Sequence, residues 1–191
     1  DLSVIVGARL SNYRYALSTL YTSAALAPRS SVVGMRENAA FTPYGGIVYD
    51  LNDNHSLYAS YTSIFKPQSQ RDRNGAVLDP REGDNYELGI KSEFLGGRLA
   101  SSAALYWVRQ DNLAEVDAGQ TVPGTLPAVA AYRAVKGART QGVDFEINGE
   151  IARGWQVGAS YNYNTTEDAA GQRIRTVFPR QMAKLWTSYR F

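Results

Sequence analysis

Few side chains in this 191-residue chain could carry acid–base, nucleophilic or metal chemistry. His55 is the only histidine and cysteine is absent, which excludes a thiolate nucleophile, a disulfide and a thiolate metal site. A catalytic relay needs partners that one histidine does not supply, and no serine lies in a nucleophile-elbow motif. We therefore predict no catalytic residue and no enzymatic activity.

The segment DLNDNHS imitates the start of a calcium-binding loop, with Asp50, Asn52 and Asn54 at alternate positions. A calcium loop of this type needs glycine at its sixth position and glutamate at its twelfth, and both are missing here. The composition is instead typical of a tight turn, in which His55 is exposed to solvent. We predict no metal site.

Two pairs of carboxylates, Glu87 with Glu93 and Asp144 with Glu146, have the residue type that general acid–base catalysis requires. Each pair is separated by an even number of residues, which places both members on the same side of a β-strand. We interpret them as parts of one polar face rather than as a catalytic pair.

The elements that position these side chains are β-strands, because apolar residues recur at every second position. We predict an all-β, antiparallel fold with eight strands: LSVIVGARL (2–10), FTPYGGIVYDL (41–51), HSLYASYTSIF (55–65), DNYELGIKSEF (84–94), RLASSAALYWVRQ (98–110), GVDFEINGE (142–150), WQVGASYNYN (155–164) and AKLWTSYRF (183–191).

The connections between these strands alternate strictly between short and long. The short ones are DLNDN, LGG and IARG, and the long ones run roughly over residues 16–38, 66–83, 111–132 and 165–179. All tight turns then lie at one end of the strands, as in outer-membrane barrels with short periplasmic turns and long outer loops. A soluble β-sandwich also alternates in hydrophobicity, but it has no reason to keep this order.

Charges at alternate strand positions require a wet side, and the apolar positions between them require a dry one. We predict that lipid contacts Tyr86, Leu88, Ile90 and Phe94. The charged side chains predicted to face a water-filled lumen are Glu87, Lys91, Glu93, Asp144, Glu146, Arg9, Lys184 and Arg190. With 20 basic and 18 acidic residues the chain gives no electrostatic argument for a nucleic-acid partner, and we expect none.

Four segments in this order, YASYTSIFKPQ, LDPREGDNYELGIK, LYWVRQDNLAEVD and GVDFEINGE, resemble the barrel of TonB-dependent ferric-siderophore receptors of Gram-negative bacteria. With the downstream PRQMAKLWTSYRF, the resemblance spans roughly residues 34–191. It implies a 22-stranded barrel in the bacterial outer membrane, plugged by an N-terminal globular domain, that imports iron chelates with energy coupled from the inner membrane.

Eight strands would form about a third of such a wall. We therefore expect residues 1–191 to be part of a transmembrane β-barrel domain, with the plug domain absent and the TonB complex bound through a missing N-terminal region. Iron is expected only as siderophore-bound substrate, with no cofactor. The alternative is a small, self-closed eight-stranded barrel with a structural or adhesive role, in which Phe191 is the terminal aromatic residue. Pairing of the first strand with the last distinguishes the two.

Aromatic rings and guanidinium groups near the outer mouth suit polar or anionic iron chelates. The candidate ligand-binding residues are Tyr21, Arg109, Tyr132, Arg133 and Arg139. A second group of arginines, Arg71, Arg73 and Arg81, is interleaved with Asp and Glu in the loop QRDRNGAVLDPREG. We expect that loop to be a self-paired, solvated surface.

Overall fold

The computed structural model describes the backbone of residues 1–23 and 26–191 and the side chains of residues 1–17 and 34–191. Eight of the ten strands form one antiparallel sheet in the order β1-β2-β3-β4-β5-β8-β9-β10, and β6 and β7 form a separate hairpin. The strands are β1 Leu2–Ser23, β2 Leu26–Asn52, β3 His55–Lys66, β4 Arg81–Phe94, β5 Leu99–Asp111, β6 Leu113–Thr121, β7 Ala130–Val135, β8 Ala138–Ala152, β9 Trp155–Glu167 and β10 Gln181–Tyr189.

The eight-stranded sheet is an open wall. Strand β1 pairs with β2 and β10 pairs with β9, and the described residues contain no pairing between β1 and β10. The prediction of eight antiparallel wall strands is confirmed, and the self-closed small barrel is contradicted. Unpaired backbone groups at a sheet edge cannot be left in hydrocarbon, so both edges need partner strands to complete the wall.

One face of the wall is apolar across all eight strands. In the middle of the sheet Leu57, Ile90, Ala103, Phe145 and Tyr161 are successive cross-strand neighbours. Phe145 is 44% exposed, and no second protein layer covers this face among the described residues. Exposure of a continuous apolar face fits contact with lipid and is unfavourable in water. We call it the lipid face, and we call the opposite side the lumen face.

The lumen face carries aromatic rings that lie over glycines of the neighbouring strand. The pairs are Tyr44 with Gly7, Tyr58 with Gly89, Tyr106 with Gly142 and Trp186 with Gly158. A glycine exposes a patch of backbone that a flat ring can cover, which stabilises a strand interior where glycine alone weakens it. These four glycines are therefore packing positions.

We expect Gly89→Ala to lower the free energy of unfolding by about 1–3 kcal/mol, the usual cost of overpacking. A Cβ atom at Gly89 would lie 2.6 Å from Cε1 of Tyr58 and 2.7 Å from the backbone oxygen of Ala103, and the latter cannot move aside. The matched control is Gly45→Ala, where the nearest atom to an added Cβ is the backbone oxygen of Ile5 at 3.5 Å. Urea unfolding of the full-length receptor measures both, and equal stabilities would contradict the prediction.

All three short connections lie at one end of the wall, the turn end. They join β2 to β3, β4 to β5 and β8 to β9, and Leu95, Gly96 and Gly154 adopt positive φ there, as tight turns require. The prediction that His55 lies exposed in the turn is wrong, because His55 begins β3 and is partly buried, with its Nδ1 2.8 Å from Oγ of Ser92. No helix among the described residues is long and apolar enough to cross a membrane.

Two long connections at the opposite end, the loop end, contain more β-structure than the sequence indicated. Instead of a loop over residues 16–38, β1 and β2 continue as paired strands to Ser23 and Leu26. The other of these two connections, residues 111–132, contains β6 and the start of β7. At about 3.3 Å per residue, β1 is more than twice as long as the ~30 Å hydrocarbon core is thick. The β1–β2 hairpin therefore extends well beyond the membrane.

Candidate functional site

The connections at the loop end pack together on the lumen face. Leu113, Val135, Ala138 and Ile174 form a buried cluster that joins the β6–β7 hairpin, the start of β8 and the connection between β9 and β10. Most buried apolar residues of the described chain belong to this loop end, whereas the wall itself has almost no enclosed core. The loop end is thus a packed structure of its own, which we call the loop assembly.

Polar contacts fix the connection 67–80 to this assembly. The side-chain Nε2 of buried Gln68 donates to the carbonyl oxygens of Asp79 and Asn112, and Nδ2 of Asn112 donates to the carbonyl oxygen of Pro80. The backbone N–H of Tyr132 donates to the carbonyl oxygen of Arg71 at 2.8 Å. Such bonds hold loops in one conformation, as a pre-organised binding surface requires.

The tips of two connections have the same hydrogen-bond pattern. Oδ1 of Asp72 accepts from the N–H groups two and four residues later, and Oδ1 of Asp168 does the same, each at 2.9 Å. Both tips have a glycine three residues after the aspartate, Gly75 and Gly171, with φ of 87° and 78°. Each aspartate is therefore committed to its own turn and leaves the neighbouring arginines free of that carboxylate.

Two adjoining cavities of about 370 and 390 Å³ lie on the lumen face at the loop end, and Arg175 lines both. Among the residues whose side chains the structure describes, no aspartate or glutamate lines either cavity. The cationic residues of that set that line them are Lys66, Arg81, Arg173, Arg175 and Arg180. Such a surface attracts anions, and guanidinium groups bind carboxylates through paired hydrogen bonds.

Arg81 and Arg175 have no carboxylate partner among the described side chains. Arg81 is the first residue of β4 and lies five residues toward the loop end from Tyr86, where the apolar residues of the lipid face begin. It is therefore outside the apolar, membrane-spanning part of the strand. Burial lowers the pKa of Arg81, and the nearby charge of Arg175 lowers it further. A bound anion would relieve this repulsion.

The five candidate ligand-binding residues do not gather around these cavities. Arg109 and Arg139 are cross-strand neighbours. Their side chains are on the same side of the wall as Trp107, at the loop end of the strands and outside the apolar part of that face. Tyr132 and Arg133 lie in β7, and Arg133 pairs with Glu115 of β6. The side chain of Tyr21 lies outside the described residues. Ligand contact by these five residues stays a prediction.

The loop QRDRNGAVLDPREG, in which we expected the arginines to pair with carboxylates of the same loop, forms its ion pair with another segment. Arg73 forms an ion pair of 2.6 Å with Asp117 of β6, and Arg81 turns to the lumen face instead of to its neighbouring carboxylates. The sequence did hold a signal for the missed cations. Residues 169–181 contain Arg173, Arg175 and Arg180 and no acidic residue, so the basic residues outnumber the nearby Glu167 and Asp168.

An open antiparallel wall with one apolar face, one polar face and its long connections at a single end is a segment of an outer-membrane β-barrel. The sequence model of the family described as "TonB dependent receptor-like, beta-barrel" matches residues 1–191. The chain belongs to this family of transport receptors, whose barrels lie in the outer membrane of Gram-negative bacteria.

Relatives are similar over the whole chain. The ferric-pyoverdine 358 receptor of Pseudomonas putida is 47% identical over 190 residues, and the ferripyoverdine receptor of Pseudomonas aeruginosa is 43% identical over 194. Each match covers 100% of this chain and 22% of the relative, so the chain spans about a fifth of their length.

Solved structures share the same arrangement. The ferripyoverdine receptor of Pseudomonas aeruginosa bound to ferripyoverdine has a TM-score of 0.75 at 40% identity, over 100% of this chain and 24% of that one. The alcaligin outer-membrane receptor of Bordetella pertussis has a TM-score of 0.72 at 44% identity, over 100% of this chain and 32% of that one. These receptors confirm the predicted family and barrel.

Proposed function

We propose that the protein containing this wall segment is an outer-membrane receptor that imports ferric-siderophore complexes with TonB-coupled energy. Membership in the receptor family and similarity to ferric-pyoverdine and alcaligin receptors support this function. The chain would supply eight strands of the wall and part of the outer ligand surface. The TonB complex would act through an N-terminal region, and lipid would contact the apolar face.

The observation that carries the proposal is the pair of cationic cavities on the lumen face at the loop end. These cations have no carboxylate partner among the described side chains, and like charges close together cost free energy that a purely structural wall gains nothing from. A receptor for anionic or polar chelates benefits from that charge, because it raises the local ligand concentration and the association rate. Ligand, moreover, would reach this face from the loop end.

Uptake of ⁵⁵Fe by intact cells tests the proposal. A strain that lacks its own siderophore receptors carries the full-length gene and receives ferripyoverdine, ferric alcaligin or ferrioxamine B. We expect uptake of at least one chelate, and we expect inactivation of the TonB gene in the same strain to abolish that uptake. The strain with an empty plasmid is the control. Absence of both binding and uptake for all three chelates, with the receptor present in the outer membrane, would sink the proposal.

A further inference from the structure

Arg81, Arg175 and Lys66 line one cavity on the lumen face. We propose that these three side chains form a subsite for a carboxylate group of the iron chelate and thereby set a preference for carboxylate-bearing chelates. This inference rests on the proposed function. It assigns the charge class of the ligand and the residues that select it.

The three cations repel one another unless a counter-charge lies beside them. Lys66 and Arg81 are directly opposite each other in the β3–β4 pairing, and like charges at such positions destabilise a sheet. Arg175 adds a third positive charge from the connection after β9, and its nearness raises the repulsion on Arg81. Three cations from three separate elements, β3, β4 and the connection after β9, line one cavity, although solvated cations would be expected to avoid one another.

The position of the cavity selects the kind of anion. Lipid headgroup phosphates lie on the opposite side of the wall, so they do not reach a lumen-face cavity between β1, β3 and the loop assembly. A soluble ligand that enters from the loop end does reach it. Tyr13, Tyr15 and Gln68 line the same cavity and add neutral polar groups beside the cations. A planar carboxylate fits this combination, because each guanidinium can donate two parallel hydrogen bonds to it.

The fixed conformation of Arg175 supports a selective role. Its backbone adopts a φ of 57°, and its guanidinium carbon lies 5.3 Å from the centre of the Phe178 ring. The preceding residue, Ile174, is anchored in the buried cluster of the loop assembly. Arg175 is thus held in place before the ligand arrives, which lowers the entropy cost of binding.

Binding of ferripyoverdine to the purified full-length receptor tests the subsite, with the chelate used as isolated and after conversion of its free carboxylates to methylamides. We expect Arg81→Gln and Arg175→Gln each to weaken binding of the unmodified chelate about tenfold or more, because each removes a hydrogen bond between charged groups. Arg175→Lys keeps the charge but loses the paired hydrogen bonds, so an intermediate affinity is expected.

The matched control is Arg14→Gln, which removes an exposed arginine between Tyr13 and Tyr15 that is directed to the other side of β1. Its affinity is expected to stay within about twofold of the wild type. The amidated chelate is expected to bind the wild type weakly, because it lacks the carboxylate that the arginines would bind. For the same reason, its affinity for each Gln variant is expected to equal its affinity for the wild type.

The outcomes separate the two proposals. If the wild type binds ferripyoverdine and the Arg81→Gln and Arg175→Gln variants bind it equally well, the subsite is wrong and the receptor function stands. A wild type that binds ferric alcaligin or ferrioxamine B but not ferripyoverdine also overturns the subsite, because those hydroxamate chelates carry no free carboxylate. A wild type that neither binds nor imports any of the three overturns the receptor function, and the subsite with it.

Discussion

Replacement of Phe145 by arginine is expected to lower the free energy of unfolding of the full-length receptor in lipid vesicles by about 2–4 kcal/mol, the cost of a cation on the lipid face at mid-depth. Phe145 lies in the same cross-strand row as Ile90 and Ala103. On β4 this row is halfway between Tyr86 and Phe94, the aromatic residues near the two membrane interfaces. An arginine there must leave water or distort the surrounding lipid.

The matched control is Glu146→Arg, the next residue of the same strand. It introduces the same side chain on the lumen face, where Glu146 lines a polar cavity of about 500 Å³ near the turn end. A charge there stays hydrated, so we expect a change of less than about 1 kcal/mol. Urea unfolding followed by tryptophan fluorescence measures both variants. Equal losses would show that the two faces do not differ in environment and would remove the basis of the membrane assignment.

The wall could be predicted from the sequence because its signals are local. A strand with one face in lipid and one in water alternates residue by residue, and tight turns require Gly, Asn or Asp. The predicted strand 84–94 corresponds to β4 Arg81–Phe94, and 142–150 corresponds to β8 Ala138–Ala152. Both observed strands continue past the alternating stretch toward the loop end, where no lipid imposes a pattern.

The same reasoning explains what the sequence did not reveal. The β6–β7 hairpin and the outer half of the β1–β2 hairpin lie outside the apolar band, so pairing there is possible without alternation. Their composition, rich in Gly, Pro and Ser, therefore predicts a loop. The strands exist because each finds a partner across a hairpin, as with Glu115 opposite Arg133 in β6 and β7.

The candidate site was less predictable because it depends on contacts between distant segments. Lys66 and Arg81 occupy strand positions that face the lumen, but only the folded chain brings Arg175 near them, from a segment far along the sequence. Arg73 likewise pairs with an aspartate of another connection, 44 residues later. Side chains in loops follow no periodic pattern. The sequence therefore identifies candidate basic residues, but it does not show which of them lie close together in the folded chain.

Replacement of Leu113 by alanine is expected to release the loop assembly while the wall stays folded. Leu113 is 1% exposed and packs in the cluster with Val135, Ala138 and Ile174. Truncation of a buried leucine costs about 2–5 kcal/mol, a large share of the stability that so small a cluster can provide. The eight-stranded sheet is held by its own hydrogen bonds between strands. The loss of stability is therefore expected to be confined to the loop assembly.

Amide hydrogen exchange on the full-length receptor measures this release. We expect faster exchange in β6 and β7 in the Leu113→Ala variant and unchanged exchange in β4 and β5, since local opening follows local stability. Leu126→Ala is the matched control, because Leu126 is in the same β6–β7 hairpin but 79% exposed. Ile174 shares the cluster with Leu113 and precedes Arg175, so chelate affinity is expected to fall in Leu113→Ala and to persist in Leu126→Ala. Unchanged exchange and affinity in both would mean that the connections hold their positions without the buried cluster, and that pre-organisation of Arg175 has another source.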